Sequence, residues 1–266
     1  MKNNEIVELA LEEQQNYFMR EAFNTLRTNI LFSGKDVKNI VLTSCLAHEG
    51  KTTISTELAK SLAESGKKVL LIDADLRKSV MVNRYTKSRG LMGLSQILSG
   101  QVNMDDAIYR TQMEGLDIIF AGPYPPNPSE LIGSPAFKEL LDAKRDAYDY
   151  ILIDAAPLGL VIDAAVMASV CDGAVLVINS GTIKYRFAQE VKAQLQKSGC
   201  KILGVVLNKV GRKGGKGYGG YYYNSYGSYY GADKSYYGAA ASNAEKTKKR
   251  VGGQTQRVMP AKKIEK

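Results

Sequence analysis

The stretch Asn39-Ile40-Val41-Leu42-Thr43-Ser44-Cys45-Leu46-Ala47-His48-Glu49-Gly50-Lys51-Thr52-Thr53 decides the fold of this chain. Its first six residues are mostly apolar and predict a buried strand, and the rest predicts a tight turn followed by a helix over residues 51–65. In such a unit the backbone N–H groups of the turn point at one place, and the helix dipole adds partial positive charge there. The stretch therefore predicts an anion site.

The residue types at the turn indicate that the anion is a nucleotide phosphate. A lysine at this position can reach the β- and γ-phosphates, and the hydroxyl that follows it can hold Mg²⁺. The match to the phosphate-loop pattern is incomplete, because Cys45 stands where a glycine is usual, and a Gly-Lys-Thr can also be an ordinary helix start. We assign nucleotide contacts to Glu49, Gly50, Lys51, Thr52 and Thr53, with Thr52 also a metal ligand.

Further apolar runs alternate with helical segments along the chain. Strands are predicted at 39–44, 67–73, 116–121, 148–154, 172–179 and 201–208, and the main helices at 51–65, 134–146, 162–170 and 182–198. Continuous apolar strands separated by helices are typical of a parallel sheet covered on both faces. We therefore predict an α/β fold with a doubly wound, mostly parallel sheet and P-loop NTPase architecture, whose strand carboxyl ends share one edge.

Polar residues follow three of these strands at that edge. Asp73 and Asp75 end the second strand, and with Arg77 two residues on they are harder to explain as turn acids than a lone Asp. Asp154 follows an apolar run, as does the acid of many magnesium sites. Asn208 ends the last strand, where it can offer its amide to an adenine ring or simply form a turn. Together these residues predict binding of ATP and Mg²⁺.

Residues 5–32 are predicted to form an amphipathic helix before the first strand. Its apolar face would be made of Leu11, Phe18, Phe23, Leu26 and Ile30. Glu21 and Arg27 are six residues apart, so they cannot form an i,i+4 pair; they either find partners elsewhere or lie on a solvated face. Residues 121–135 contain five of the seven prolines and predict a rigid loop leading into a helix that begins at Pro135.

The charge of the chain is concentrated at its C-terminal end. Residues 211–266 hold 12 of the 36 Lys and Arg and 3 of the 27 acidic residues, so they carry the whole net charge of +9 and residues 1–210 are balanced. The folded part therefore gives no indication of nucleic-acid binding. No apolar run approaches the roughly 20 residues of a membrane span, and the first residues lack a signal-peptide core, so we expect a cytoplasmic protein with three reduced cysteines.

Residues 211–238 have an unusual composition. They hold nine glycines and nine tyrosines but no Val, Ile, Leu or Phe, so we expect a disordered segment, followed by a second disordered, basic segment over 239–266. One interpretation is that the rings mediate self-association. The other is that they are phosphoacceptors, which we assign to Tyr221, Tyr222, Tyr223, Tyr226, Tyr229, Tyr230, Tyr236 and Tyr237. The organisation is then a domain over 1–210, a Gly/Tyr segment over 211–238 and a basic tail over 239–266.

These features together resemble the bacterial tyrosine kinases of capsule and exopolysaccharide synthesis, in their form without a fused membrane domain. The resemblance covers roughly residues 15–238. Its most specific part is the combination of Pro125-Pro126-Asn127-Pro128-Ser129-Glu130-Leu131 with the tyrosine cluster, because other ATPases of this sheet type share only the nucleotide motifs. The chain differs from the family at Ala47-His48, where Pro-Gly is general, and at Asn24, where an arginine is usual.

The resemblance implies a mechanism and a set of partners. Lys51 and the loop amides would hold the triphosphate, and Thr52 and Asp154 would organise Mg²⁺. Asp73 or Asp75 would accept the proton of an incoming tyrosine; we favour Asp73 as the base and Asp75 as a metal or interface ligand. Glu21 and Arg27 would lie in the contacts of a ring-like homo-oligomer whose subunits phosphorylate one another's tyrosine clusters. The cytoplasmic tail of a membrane activator, of the polysaccharide co-polymerase type, would recruit the enzyme to the membrane.

Two other functions remain open at this point. A positioning or partitioning ATPase of the MinD/ParA type would share Lys51, Asp73, Asp75 and Asp154, but it would have no use for clustered tyrosines. A scaffold of the same fold that has lost catalysis is the third, because the phosphate loop is altered at Cys45, Ala47 and His48.

Overall fold

The computed structural model of the chain describes residues 6–11 and 17–210. Within this part, eight strands form a single sheet with helices on both faces. The strands are Ile6–Val7 (β1), Asn39–Ser44 (β2), Val69–Ala74 (β3), Tyr109–Thr111 (β4), Leu116–Ile119 (β5), Tyr150–Ala155 (β6), Gly173–Asn179 (β7) and Ile202–Asn208 (β8). The helices are Tyr17–Leu31 (α1), Lys51–Glu64 (α2), Met81–Tyr85 (α3), Leu94–Leu98 (α4), Pro128–Ile132 (α5), Pro135–Lys144 (α6), Asp163–Ala168 (α7) and Tyr185–Gln196 (α8), with a 3-10 helix at Met104–Ala107.

The sheet confirms the predicted fold class. Its strand order is β1-β4-β5-β3-β6-β2-β7-β8, and each neighbouring pair is parallel except β4 and β5. The central strands β3, β6 and β2 are buried along their whole length. Their register places Asp73 directly beside Asp154, so the acids at the last position but one of β3 and β6 meet near the carboxyl edge.

Hydrophobic side chains fill a core on each face of the sheet. Because successive strand residues point to opposite faces, Leu42 packs with Leu58 of α2 on one face, whereas Val41 packs with Phe137 of α6 on the other. Burial of such side chains contributes roughly 1.5–3 kcal/mol each to folding. This packing fixes the strand ends, and with them the residues at the carboxyl edge.

The N-terminal prediction was wrong in part. Ile6–Val7 form a strand that pairs with β4, residues 8–11 are not helical, and the helix begins at Tyr17; the part of the prediction that falls on residues 12–16 lies outside the described residues. Phe18 is exposed, whereas Phe23 and Ile30 are buried. Pairing at a sheet edge, which depends on the tertiary structure, overrode the local helical pattern.

Two further differences concern the edges of the sheet. β4 was not predicted, because three residues with a charged Arg110 at their centre give no apolar run. β8 was predicted as a strand buried on both faces, but Val205 and Leu207 are more than half exposed, because β8 has a neighbouring strand on one side only.

The proline-rich segment has more regular structure than predicted. It contains the short helix α5 before α6, which begins at Pro135 as expected. None of the described helices combines the length and apolar character of a membrane span. The predictions for residues 211–238 and 239–266, including all the phosphoacceptor tyrosines, lie outside the described residues.

Candidate active site

A buried carboxylate fixes the phosphate loop by accepting hydrogen bonds from the backbone. The Glu49 side chain is 3% exposed, and its two oxygens accept the backbone N–H of Leu46 at 2.7 Å and of Asn179 at 3.1 Å. Burial, together with the nearby Glu49 charge, raises the pKa of the Cys45 thiol to about 12, so this cysteine stays neutral. Glu49 thus links the loop to the end of β7, and its predicted contact with the nucleotide stays a prediction.

The end of β8 holds the same loop from outside. The Asn208 amide nitrogen donates to the carbonyl oxygen of Glu49 at 2.8 Å, and Lys209 Nζ donates to that of His48 at 2.8 Å. Gly50 has a φ of 92°, which favours glycine, and a Cβ there would lie 2.1 Å from the Asn208 nitrogen, so a larger residue would displace the Asn208 side chain. The Asn208 amide thus has a partner in the loop, and its predicted contact with adenine stays a prediction.

Lys51 and Asp154 form a buried ion pair at the start of α2. The Lys51 Nζ lies 2.8 Å from Asp154 Oδ1, and the side chains are 7% and 1% exposed. The hydroxyl of Ser55, one helical turn after Lys51, donates to the same oxygen at 3.0 Å. Sequence reasoning missed Ser55, although its i+4 spacing from Lys51 puts it on the same side of the helix.

Asp73 lies beside this pair in a different electrostatic environment. It is 1% exposed, and it accepts a hydrogen bond from the Ser79 hydroxyl. Burial, followed by the charge of Asp154, raises the pKa of Asp73 to about 7, although Ser79 and Lys51 oppose the shift. A carboxylate with a pKa near the working pH is suited to accept a proton during a reaction.

Asp75 is held at the turn that follows β3. Its Oδ1 accepts the backbone N–H of Lys78 at 3.0 Å and of Arg77 at 3.3 Å. Asp75 therefore acts as a turn acid, which was the simpler interpretation of one of these two carboxylates. Its predicted part in catalysis or metal binding stays a prediction.

Arg77 connects this turn to the proline-rich segment. Its guanidinium donates to both oxygens of the buried Asp163, at 2.6 and 3.1 Å, and to the Ser129 hydroxyl at 2.7 Å. Ser129 in turn donates to Asp163 at 2.8 Å. Sequence reasoning missed Asp163, because an acid in the first turn of a helix is common and carries no special signal.

The two residues predicted at a subunit interface make contacts within their own chain. Glu21 accepts a hydrogen bond from Asn24 at 3.1 Å. Arg27 donates to the carbonyl oxygen of Ser61 at 2.9 Å and to its hydroxyl at 3.1 Å, which ties α1 to α2. Their role between subunits remains a prediction.

The polar groups at this edge fit a magnesium ion that is shared with a nucleotide. In the described part of the chain there is no group of three or more His, Cys, Asp or Glu side chains that could hold a metal ion alone. Mg²⁺ usually takes one or two protein oxygens together with substrate phosphates and water. Asp154 and the Thr52 hydroxyl at the start of α2 can supply the protein oxygens.

The fold and this site define a P-loop nucleotide-binding protein. The sequence profile of the AAA domain family matches residues 37–197. The chain is 42% identical to the tyrosine-protein kinase CpsD of Streptococcus agalactiae over 210 residues, which cover 79% of this chain and 91% of that protein. It also matches the crystal structure of the chimerical protein CapA2B2, with a TM-score of 0.72, 34% identity, and coverage of 79% of this chain and 96% of that one. The chain belongs to the bacterial tyrosine-protein kinases.

The MinD-type alternative is less well supported. The structure of MinD from Pyrococcus horikoshii, complexed with Mg-ADP, matches with a TM-score of 0.56 and 30% identity over 67% of this chain and 72% of that one. This likeness is weaker than the likeness to the tyrosine kinases, but it shows the same fold in a protein that holds Mg-ADP. A P-loop fold of this kind can therefore bind a nucleotide together with magnesium.

Proposed function

We propose that this protein is an ATP- and Mg²⁺-dependent tyrosine kinase that phosphorylates the tyrosine cluster of a second copy of itself and thereby regulates capsule or exopolysaccharide synthesis. The observation that carries the proposal is the meeting of Lys51, Asp154 and Asp73 at one edge of the sheet, with the Lys51 Nζ 2.8 Å from Asp154. A phosphate-binding cation, a magnesium ligand and a base are the groups that phosphoryl transfer from ATP to a hydroxyl requires.

In this mechanism each residue of the site has a separate role. When phosphates bind, Lys51 exchanges its pairing with Asp154 for the β- and γ-phosphates, while Thr52 and Asp154 become available to Mg²⁺. The metal supplies charge neutralisation on the transferring phosphoryl group. Asp73 accepts the proton of the incoming tyrosine, because its pKa of about 7 and its burial favour the protonated product. The backbone N–H groups around Gly50, held by Glu49 and Asn208, orient the triphosphate.

The proposal includes a homo-oligomer and a membrane partner. Copies would meet so that one tail reaches a neighbouring site, with α1 and its Glu21 and Arg27 near the contact. The matched structure CapA2B2 is that of a chimera, which fits a kinase that works together with a separate partner protein. By family resemblance, the partner would be a membrane protein of the polysaccharide co-polymerase type whose cytoplasmic tail activates the enzyme and brings it to the inner face of the membrane.

Incubation of two purified full-length copies with Mg-ATP tests the proposal. One copy carries Lys51→Met and keeps its tyrosines; the other keeps Lys51 but has serine in place of the nine tyrosines of residues 211–238. We expect phosphotyrosine on the Lys51→Met copy in an anti-phosphotyrosine blot and in mass spectrometry. Absence of label there, while the unmodified protein labels itself, would show that transfer occurs within one chain.

A further inference from the structure

The loop that begins the proline-rich segment presents a rigid apolar surface beside the active site. Pro123, Tyr124 and Pro126 are exposed, with Tyr124 67% exposed, whereas Pro125 and Pro128 are buried and anchor the loop to the core. We call the three exposed residues the proline–tyrosine platform. None of the residues assigned to phosphoryl transfer belongs to it.

The platform is held at both of its ends. At its start, the Ser95 hydroxyl donates to the carbonyl oxygen of Pro123 at 2.7 Å. At its other end, Arg77 binds Ser129, and both contact the buried Asp163. Loops that only connect elements are seldom fixed by a buried acid and a bidentate arginine, so this surface is kept in one conformation. Such preorganisation lowers the entropy cost of binding a flexible ligand.

The same contacts connect the loop that carries the platform to the turn that follows β3. Arg77 donates its backbone N–H to the carboxylate of Asp75, two residues earlier in the chain. Asp75 directly follows β3, and this strand contains Asp73. Ser129, whose hydroxyl accepts the Arg77 hydrogen bond, follows Pro126 of the platform by three residues. A peptide chain that lies on the platform would therefore pass near the turn that follows β3, the strand that carries the carboxylate we assign as the base.

We propose that the platform docks the Gly/Tyr segment of a second copy, residues 211–238, and presents its tyrosines to the active site. This inference rests on the proposed kinase function. Proline rings and a phenol offer ring faces, with one hydroxyl as their only polar group, and they suit an acceptor rich in tyrosine that has no aliphatic anchor of the Val, Ile or Leu type. Contacts between rings tolerate different sequences, so one platform can serve nine tyrosines in turn.

The position of the chain end agrees with this occupant. The described chain ends at Val210, two residues after Asn208, which binds the phosphate loop, so each copy releases its tail at the carboxyl edge of its sheet. A segment of 28 residues can extend to about 90 Å, which is enough to reach a neighbouring copy.

Steady-state kinetics with the two full-length copies defined above test the docking. The active copy carries either the native platform or Tyr124→Ala with Pro126→Ala, and the concentration of the Lys51→Met acceptor copy is varied. We expect the platform variant to raise the KM for the acceptor about three- to tenfold, while kcat changes less than about twofold and the KM for ATP is unchanged. Tyr124→Phe, which keeps the ring, should restore the native KM.

A matched control is Tyr185→Ala, which removes a tyrosine that is 79% exposed at the start of α8. It should leave the acceptor KM unchanged. An unchanged acceptor KM in the platform variant, or an equal change in the Tyr185→Ala control, would overturn the inference and leave the kinase function standing. A native-platform copy that fails to label the acceptor at all would instead refute transfer between copies. Thermal unfolding of each variant confirms that the loop change has not unfolded the domain.

Discussion

Two aspartates at opposite edges of the same sheet, Asp172 partly buried and Asp73 fully buried, have opposite electrostatic environments. At the amino edge, Asp172 accepts the backbone N–H groups of Lys38 and Asn39, at 2.9 and 2.8 Å, and the Arg145 guanidinium at 2.8 Å. At the carboxyl edge, Asp73 accepts one hydroxyl, from Ser79, and lies beside the like charge of Asp154.

The pKa values follow from these partners. Burial alone would raise the pKa of Asp172, but the hydrogen bonds from Arg145, Asn39 and Lys38 outweigh it and hold this pKa below its ordinary value. Burial and Asp154 raise the pKa of Asp73 to about 7. Several hydrogen-bond donors stabilise the charged form of a carboxylate, and such a group contributes to the stability of the fold. A buried carboxylate with few donors is less stable in its charged form, so it is suited to take up a proton from a substrate. We therefore expect the amino edge to contribute stability and the carboxyl edge to carry the chemistry.

The largest expected effect comes from the cation at the carboxyl edge. Lys51→Met should reduce phosphorylation of the tail by at least about 100-fold, because it removes the charge that meets the phosphates. It also leaves the buried Asp154 without its cationic partner, so the protein without nucleotide should lose stability. Quantitative anti-phosphotyrosine blots and thermal unfolding measure the two effects. Labelling at the native rate would show that the lysine is structural.

Asp73→Asn should abolish activity and stabilise the protein without nucleotide at high pH. Because the folded-state pKa of Asp73 is raised from 3.8 to about 7, its contribution to stability is fully present below pH 3.8 and is lost as the pH rises through 7. The native protein should therefore be less stable than the variant at pH 9, on the order of 2–4 kcal/mol, and the difference should shrink near pH 5. Urea unfolding in EDTA at the two pH values decides this, and an equal difference at both would contradict the assignment.

The corresponding change at the amino edge should act on stability alone. Asp172→Ala removes the acceptor of two backbone N–H groups and of one Arg145 nitrogen, so we expect a loss of about 1–3 kcal/mol with normal activity per folded molecule. Because the pKa of Asp172 is lowered in the fold, its contribution is present above pH 3.8 and is lost as the pH falls through the folded pKa. The control is Asp105→Ala. Asp105 pairs with Lys144, but its side chain is exposed to solvent, so its loss should change the free energy of unfolding little. A loss of kcat in Asp172→Ala would remove the distinction between the edges.

The smallest expected effect is on nucleotide affinity and concerns the contact between Asn208 and the phosphate loop. Gly50→Ala and Gly181→Ala both force alanine into a positive φ, 92° and 73°, at a cost of about 1–2 kcal/mol each. Only Gly50→Ala also displaces the Asn208 side chain from the loop, because no atom lies within 4 Å of the added Cβ at Gly181. Calorimetric titration with Mg-ATP should therefore show weaker binding for Gly50→Ala alone. Equal affinities would mean that Asn208 does not orient the loop.

The sequence predicted the strands and acids that lie at the centre of the fold. Asn39–Ser44 and the strands ending at Asp73 and Asp154 are long, apolar and followed by charged residues, so both their type and their common edge could be derived from the chain. The short edge strands β1 and β4 could not be predicted in this way. Two or three residues carry no periodicity, and their conformation depends on the strand beside them.

By itself, then, the sequence determined the class of sheet, the phosphate loop, the acids at its carboxyl edge and the tyrosine-rich, basic end, because local periodicity and residue chemistry are written along the chain. The tertiary structure alone decided which partner each polar group has. It paired Lys51 with Asp154, turned Glu49 and Asn208 towards the loop backbone, and joined Arg77 to Asp163 and Ser129. Those partners lie up to about 160 residues apart, and only the packing of the two cores brings them within hydrogen-bonding distance.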